Sequence, residues 1–269
     1  MWNMEIIKPL EKPHFKTALF DFDGTVSLIR SGWQEIMVPY FIEVLSEVAA
    51  PEEMEDIPRI VRDFVDILTG KQTIFQCMQL TEEVVKRGGA FVEPMEYKRE
   101  YLRRLSIHTK DRIEGLKSGK YAPADMVVPG CIEFVNALKE RGISCYLASG
   151  TDEKDVLYEA SLLGLDKAFD GHIYGAHDYM TDCSKEMVIN SLINEGKLRP
   201  EELISFGDGY VEIELVANIG GYTVGVATDE ANRSGEVDDW KRGRLLQAGA
   251  SVIIPDFSEY EKLLDYIFA

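Results

Sequence analysis

The sequence predicts an α/β fold, a doubly wound parallel sheet covered by helices on both faces, with an α-helical domain inserted near its start. Three observations carry this. A short apolar run, Thr17-Ala-Leu-Phe20, leads into the polar, glycine-closed segment Asp21-Phe-Asp-Gly24. The chain from about 31 to 120 then shows helical periodicity with no convincing strand, punctuated by Pro51, Pro58 and Pro94. From Val127 onward, helical stretches alternate with short apolar runs, the pattern of a parallel sheet with crossover helices.

The elements follow in order. The run at 17 to 24 suits a buried strand that hands its last residues to a loop. Beyond the inserted helices, a Pro129-Gly130 turn opens an amphipathic stretch over 131 to 141, and Gly142 separates it from the strand at 143 to 148, which ends in Ser149-Gly150. A helix is expected at about 152 to 163, a short strand near 169 to 174, and a helix over about 185 to 195. The apolar run 203 to 206 precedes Gly207-Asp208-Gly209, further strands fit 222 to 226 and 251 to 254, and a final helix fits 260 to 268. The expected division is 1–28 and 121–269 for the α/β core and 29–120 for the helical insertion. Ligands of such sheets gather at the carboxyl ends of strands, so strand-end residues are the functional candidates.

Bulk properties narrow the field. At 269 residues and 45% hydrophobic composition the chain can bury a sizeable core. A formal charge of −18 repels nucleic acid and anionic membranes, and neither is an expected partner. Cys77, Cys131, Cys145 and Cys183 form no Cys-x-x-Cys pair, which argues for reduced structural thiols rather than disulfides or zinc. The N-terminus lacks a basic start followed by an apolar stretch, and no segment approaches the roughly 20 apolar residues of a membrane span, so the cytoplasm is expected.

Asp21 and Asp23 are two apart at a strand end, so side-chain alternation lets both project toward one site, and Gly24 permits a sharp turn after them. Alone, Asp-x-Asp-Gly also fits a calcium-type or plain turn. Ser149, with Gly150 and Thr151 entering a helix, offers a hydroxyl and backbone N–H groups to an anion, or merely caps that helix. Lys185 opens a helix after an irregular polar stretch, where a lone lysine is ordinarily a solvated charge. Asp208 stands between two glycines after an apolar run, with Glu212 one helical turn on, and such oxygens can hold a hard cation.

Taken in order, Asp-x-Asp-Gly-Thr at 21 to 25, strand-end Ser149, Lys185, and Gly-Asp-Gly with Glu212 resemble the four motifs of the haloacid dehalogenase superfamily of Mg²⁺-dependent phosphatases. The resemblance covers about 17 to 256. It implies a Rossmann-like core carrying a helical cap of the first type, as in phosphoglycolate phosphatase-like members. Thr25 resembles the phosphatases more than the sugar-phosphate mutases, which commonly have Val there. Glu212 departs from the frequent Asp, and Lys185-Glu-Met departs from the frequent Lys-Pro.

The resemblance implies Asp21 as nucleophile and Asp23 as general acid and base. Ser149, Gly150 and Lys185 would hold the phosphoryl group. Mg²⁺ would sit on Asp21 and Asp208, the Asp23 carbonyl, water and substrate oxygen, with Glu212 in support. At about 4 Å and an effective dielectric of 20, each like-charge contact costs about 4 kcal/mol, so a dianionic ester needs a cation among these acids. The expected partner is a small phosphorylated metabolite, possibly a sugar phosphate, and the expected state is monomer or homodimer. Arg30, Trp33 and Gln34 are candidates for the hinge or mouth of the cap, and Thr69-Gly-Lys71-Gln-Thr73 for a polar loop. Arg99, Arg103, Arg104 and Lys110 read as the wet face of a cap helix, and His108, His172 and His177 lack metal-like spacing. The alternatives are a mutase, a phosphonate hydrolase using Lys71 as a Schiff-base amine, or a silent binding module, against which Asp23 argues because a mere phosphate binder needs no proton shuttle.

Overall fold

The apolar run after the N-terminal segment becomes the middle of a sheet. The computed structural model describes residues 3–11, 14–177, 184–195 and 198–269, so Cys183 and most of the polar stretch before Lys185 lie outside the described residues. In chain order the described elements begin with β1 (Glu5–Ile6), β2 (Thr17–Phe20), α1 (Gln34–Ser46), α2 (Ile57–Leu68), α3 (Thr73–Lys86), α4 (Pro94–Ser118) and α5 (Cys131–Glu140). They continue with β3 (Ser144–Asp152), α6 (Glu153–Leu163), α7 (Leu165–Ala168), β4 (Ile173–Ala176) and α8 (Ser184–Asn194). The last are β5 (Leu203–Gly207), α9 (Tyr210–Ile219), β6 (Tyr222–Val226), α10 (Asp239–Gln247), β7 (Val252–Ile254) and α11 (Tyr260–Ile267).

The strands lie in the order β1-β7-β6-β5-β2-β3-β4, all parallel except β1, which runs antiparallel on β7. β2 pairs with β3 on one side and β5 on the other, so the chain reverses its direction of travel across the sheet beside β2. Crevices at such reversals are where open α/β sheets take ligands. Alternation along β2 shows why both faces are covered. Ala18 and Phe20 enter one core with Phe134, Phe206 and Phe257, while Leu19 enters another with Val188, Ile189 and Val216. Phe20 stacks on Phe206 with ring centroids 4.6 Å apart. Burying each such ring stabilises by about 1.5–3 kcal/mol, which holds the ends of β2 and β5 side by side.

The chain divides into two compact units, residues 1–31 with 112–269, and residues 32–111. The second is helical and has its own core, in which Phe41 and Leu45 of α1, Val61 and Val65 of α2, Leu80 and Val84 of α3, and Tyr101 and Leu105 of α4 are buried at four-residue spacing. Its polar face is salted with Arg104, which pairs with Glu43 and Glu100, and Arg103, which pairs with Glu100.

Four elements differ from the sequence expectation. β3 runs on to Asp152, with a register irregularity between Ala148 and Asp152, so Ser149, Gly150 and Thr151 are extended backbone rather than a helix entrance. The short strand starts at Ile173, because Phe169 closes α7 and the positive φ of Asp170 and Gly171 turns the chain there. β1 and α10 carry no periodic apolar signal: one is two residues long and the other begins Asp-Trp-Lys-Arg.

Candidate active site

β2 ends at Phe20, and Asp21 and Asp23 follow it on the loop that Gly24 closes. Asp21 N donates to Phe206 O at 2.9 Å, extending the β2–β5 pairing by one rung. Ser27 N and Val26 N both donate to Phe22 O, and Gly24 N donates to Ser27 O, so the loop is a hydrogen-bonded turn rather than a free strand end. Gly24 takes φ +77°, and a Cβ there would run into the carboxylates of Asp208 and Glu230. Glycine is therefore needed twice, for the left-handed angle and for the approach of two side chains.

Four acidic side chains converge on this turn, and two lysines keep them apart. Lys185, on the first turn of α8, is buried with its Nζ 2.8 Å from Asp21 Oδ1 and 2.6 Å from Glu212 Oε2. Burial raises the Asp21 and Glu212 carboxyls above their ordinary values while the ammonium pulls both down. For Lys185, burial disfavours the charge, but the two carboxylates outweigh it and its pKa is raised. Glu212, on the first turn of α9, packs so closely on Gly207 that a Cβ at 207 would meet Oε1, and that oxygen is buried with no hydrogen-bond partner. Lys241 of α10 plays the same part at Asp208, 2.8 Å from Oδ2, and also pairs with Glu230 at 2.6 Å. Thr25 Oγ1 accepts from Asp208 N at 2.8 Å, which ties the motif after β5 to the turn after β2.

Asp23 has different company. Its Oδ2 accepts from Thr151 Oγ1 at 2.8 Å and lies 3.4 Å from Ser149 Oγ, while Oδ1 is buried without a hydrogen-bond partner, 4.0 Å from Arg30 Nε. Burial raises this carboxyl, against the pull of Arg30 and the Thr151 hydrogen bond. Ser149 Oγ itself accepts from Thr151 N at 3.0 Å, so the N–H expected to face an anion is engaged within the strand end.

Asp21, Asp23, Ser149, Lys185, Asp208 and Glu212 thus meet at one end of the sheet, with Gly150 beside Ser149 in β3. Arg30 does not belong to the helical unit: it is buried in the α/β unit, where Nε and Nη2 grip Glu159 of α6 at 2.8–3.1 Å. This buried pair places Arg30 in the α/β unit rather than in the helical insertion. Trp33 is half-buried against the helical core and Lys71 is exposed between α2 and α3, both in the other unit. Glu159, Glu230 and Lys241 carry no signal in the sequence analysis, and neither does the bond from the Thr151 hydroxyl to Asp23. Thr151 could have been found from its place beside Ser149-Gly150, whereas Glu230 and Lys241 come from a later loop and helix with no motif to mark them.

Among the described residues, no three His, Cys, Asp or Glu side chains form a metal-holding group by themselves. The set Asp21, Asp23, Asp208 and Glu212 is therefore not a four-carboxylate cage, since Lys185 takes one oxygen each of Asp21 and Glu212 and Lys241 takes one of Asp208. What remains suits magnesium, which keeps several waters and takes only one or two carboxylates with substrate oxygens. Asp21 and Asp208 at the ends of neighbouring strands, each with a lysine on one oxygen, and the buried unpartnered oxygens of Asp23 and Glu212 fit such an ion.

These features define an acid-lined, lysine-buttressed strand-end site on a doubly wound α/β core. The chain belongs to the haloacid dehalogenase-like hydrolases, whose family profile matches residues 15–220. No curated protein matches its sequence. Among solved structures, it is similar to a predicted phosphoglycolate phosphatase from Haemophilus somnus, at 17% identity and TM-score 0.57 over 94% of this chain and 100% of that one. It is similar also to β-phosphoglucomutase from Clostridium difficile, at 14% identity and TM-score 0.61 over 94% and 97%. A family hydrolase from Deinococcus radiodurans with bound phosphate and sodium matches at 17% identity and TM-score 0.53 over 96% and 98%. At these identities the likeness concerns the fold.

Proposed function

We propose that this protein is a Mg²⁺-dependent phosphatase that hydrolyses a small phosphorylated metabolite, such as a sugar phosphate, through an aspartyl-phosphate on Asp21. The observation that carries the reading is the division of labour between the two aspartates of one turn. Burial raises both carboxyls, but Asp21 is paired with a buried ammonium at 2.8 Å, while Asp23 accepts from the Thr151 hydroxyl and keeps one unpartnered oxygen. One oxygen of Asp21 attacks phosphorus, and the bond to the leaving oxygen breaks as Asp23 gives that oxygen its proton. Asp23 then takes a proton from water, whose oxygen attacks the phosphoaspartate and frees Asp21. Mg²⁺, held by Asp21, Asp208 and the Asp23 carbonyl, would neutralise charge on the phosphoryl oxygens. Thr151 and Ser149 orient Asp23, and Lys185 fixes the attacking carboxylate. The chain would act in the cytoplasm as a monomer or homodimer. No helix of the described residues is long and apolar enough to cross a membrane.

The test is phosphate release from an aryl phosphate and from a panel of phosphorylated metabolites, with Mg²⁺ present. Wild type should turn over and Asp21→Asn should not. Asp23→Asn should lose about 10²–10⁴-fold. Wild-type turnover by Asp21→Asn would exclude the covalent route.

A further inference from the structure

The loop after β6 and the helix that follows it bring two charges to the site that the proposed reaction leaves unused. An isolated bridge between Thr228 and Val237 closes this loop, and Asp238 N donates to Ala227 O at 2.9 Å. Asp238 then caps α10 by accepting from Lys241 N at 2.8 Å, which fixes the first turn of the helix. The outcome is that Glu230 from the loop and Lys241 from the helix arrive together beside Asp208, with the lysine ammonium 2.6 Å from one carboxylate and 2.8 Å from the other. Both lysine and glutamate are largely withdrawn from water, with side-chain exposures of 9% and 18%. Gly24 leaves the space in which the Asp208 and Glu230 carboxylates stand.

We propose that Lys241 and Glu230 are a matched pair of positioning residues that sets how tightly Asp208 holds a divalent cation. The inference rests on the magnesium reading above. Lys241 takes one Asp208 oxygen, so the acid has a counter-charge and a fixed direction before any cation arrives, and its Oδ1 is left 3.5 Å from the Thr25 hydroxyl. An ammonium so placed also repels a divalent ion. Glu230 offsets that repulsion, because it holds the same ammonium from the other side and adds a negative charge of its own. In a buried site such charges are only weakly screened. The pair is therefore nearly neutral toward the ion while either member alone is not.

This has a signature that packing cannot imitate, because the two single substitutions act in opposite directions. Calorimetric titration of purified, chelator-stripped protein with MgCl₂ reads it directly, without turnover. Glu230→Gln leaves the lysine charge unopposed and should weaken Mg²⁺ binding by about tenfold or more. Lys241→Met leaves an extra uncompensated carboxylate and should tighten binding by a similar factor. The double variant should return close to wild type. Shifts in the same direction, or no shift in Glu230→Gln, would overturn the proposal while leaving the magnesium reading intact. Absence of Mg²⁺ binding by wild type would overturn both. Lys241→Met could fail to fold, but Glu230→Gln keeps the Lys241–Asp208 pair, and its sign alone decides the matter.

Discussion

Gly24 has no side chain, yet the approach of two carboxylates depends on it. Its φ of +77° is a conformation that a Cβ resists at a cost of about 1–2 kcal/mol, and here the Cβ would also meet the Asp208 and Glu230 carboxylates. Gly24→Ala should therefore lower thermal stability by at least that amount and displace Asp208, so that Mg²⁺ affinity falls with it. A melting curve and a Mg²⁺ titration on the same preparation check both, and an unchanged titration would mean that Asp208 does not depend on the close approach. Asp21 and Asp23 differ for an equally local reason. One meets an ammonium at 2.8 Å and the other a threonine hydroxyl at the same distance, so residues two apart with the same side chain have different partners.

The strand β5 presents Gly207 and Asp208 to the site, and its entry is held by charge. Pro200–Glu202 form a single 3₁₀ turn before it, in which the Glu202 carboxylate takes the Arg199 backbone N–H at 3.0 Å, the Arg199 guanidinium at 2.9 Å and Lys16 Nζ at 2.8 Å. Lys16 immediately precedes β2, and its backbone N–H bonds Glu202 O as well, so this one glutamate ties the starts of the two strands that carry the acids. Hydrogen bonds from Arg199 and Lys16 hold its pKa down to about 2. A carboxyl lowered on folding contributes stability that is present above its unfolded value, about 4.3, and is lost as pH falls through about 2. Wild type should accordingly melt higher than Glu202→Gln near neutrality, and the gap should close between about pH 4 and pH 2. Thermal melts across that range measure it, and a gap that persists at the acid end would assign the difference to packing.

A chain with a formal charge of −18 gathers acids at the proposed phosphate site, and the buried cations beside them, Lys185, Lys241 and Arg30, are each already engaged by carboxylates. None is a spare charge for the ester. Exhaustive chelation should therefore abolish phosphate release and MgCl₂ should restore it, with a matching rise in melting temperature because the ion binds only the folded state. Full turnover after chelation would contradict the magnesium assignment.

Much of this was open to reading from the residues alone. Asp21 and Asp23 share a site because side chains alternate along a strand, and Phe20, Phe206 and their neighbours form a covered sheet because short apolar runs separated by helical ones can bury themselves in few other ways. Those are local rules, and a linear pattern carries them. The two-residue β1 has no pattern to show, and the extension of β3 past Ser149 depends on pairing with β4. By position Arg30 falls in the helical insertion, but Glu159, far along the chain, grips it in the α/β unit. Lys241 and Glu230 belong to the site only because the sheet order brings β6 and its following loop beside β5. Coulomb attraction and close packing act on distance in space, and for these pairs that distance is set by the fold, not by position along the chain.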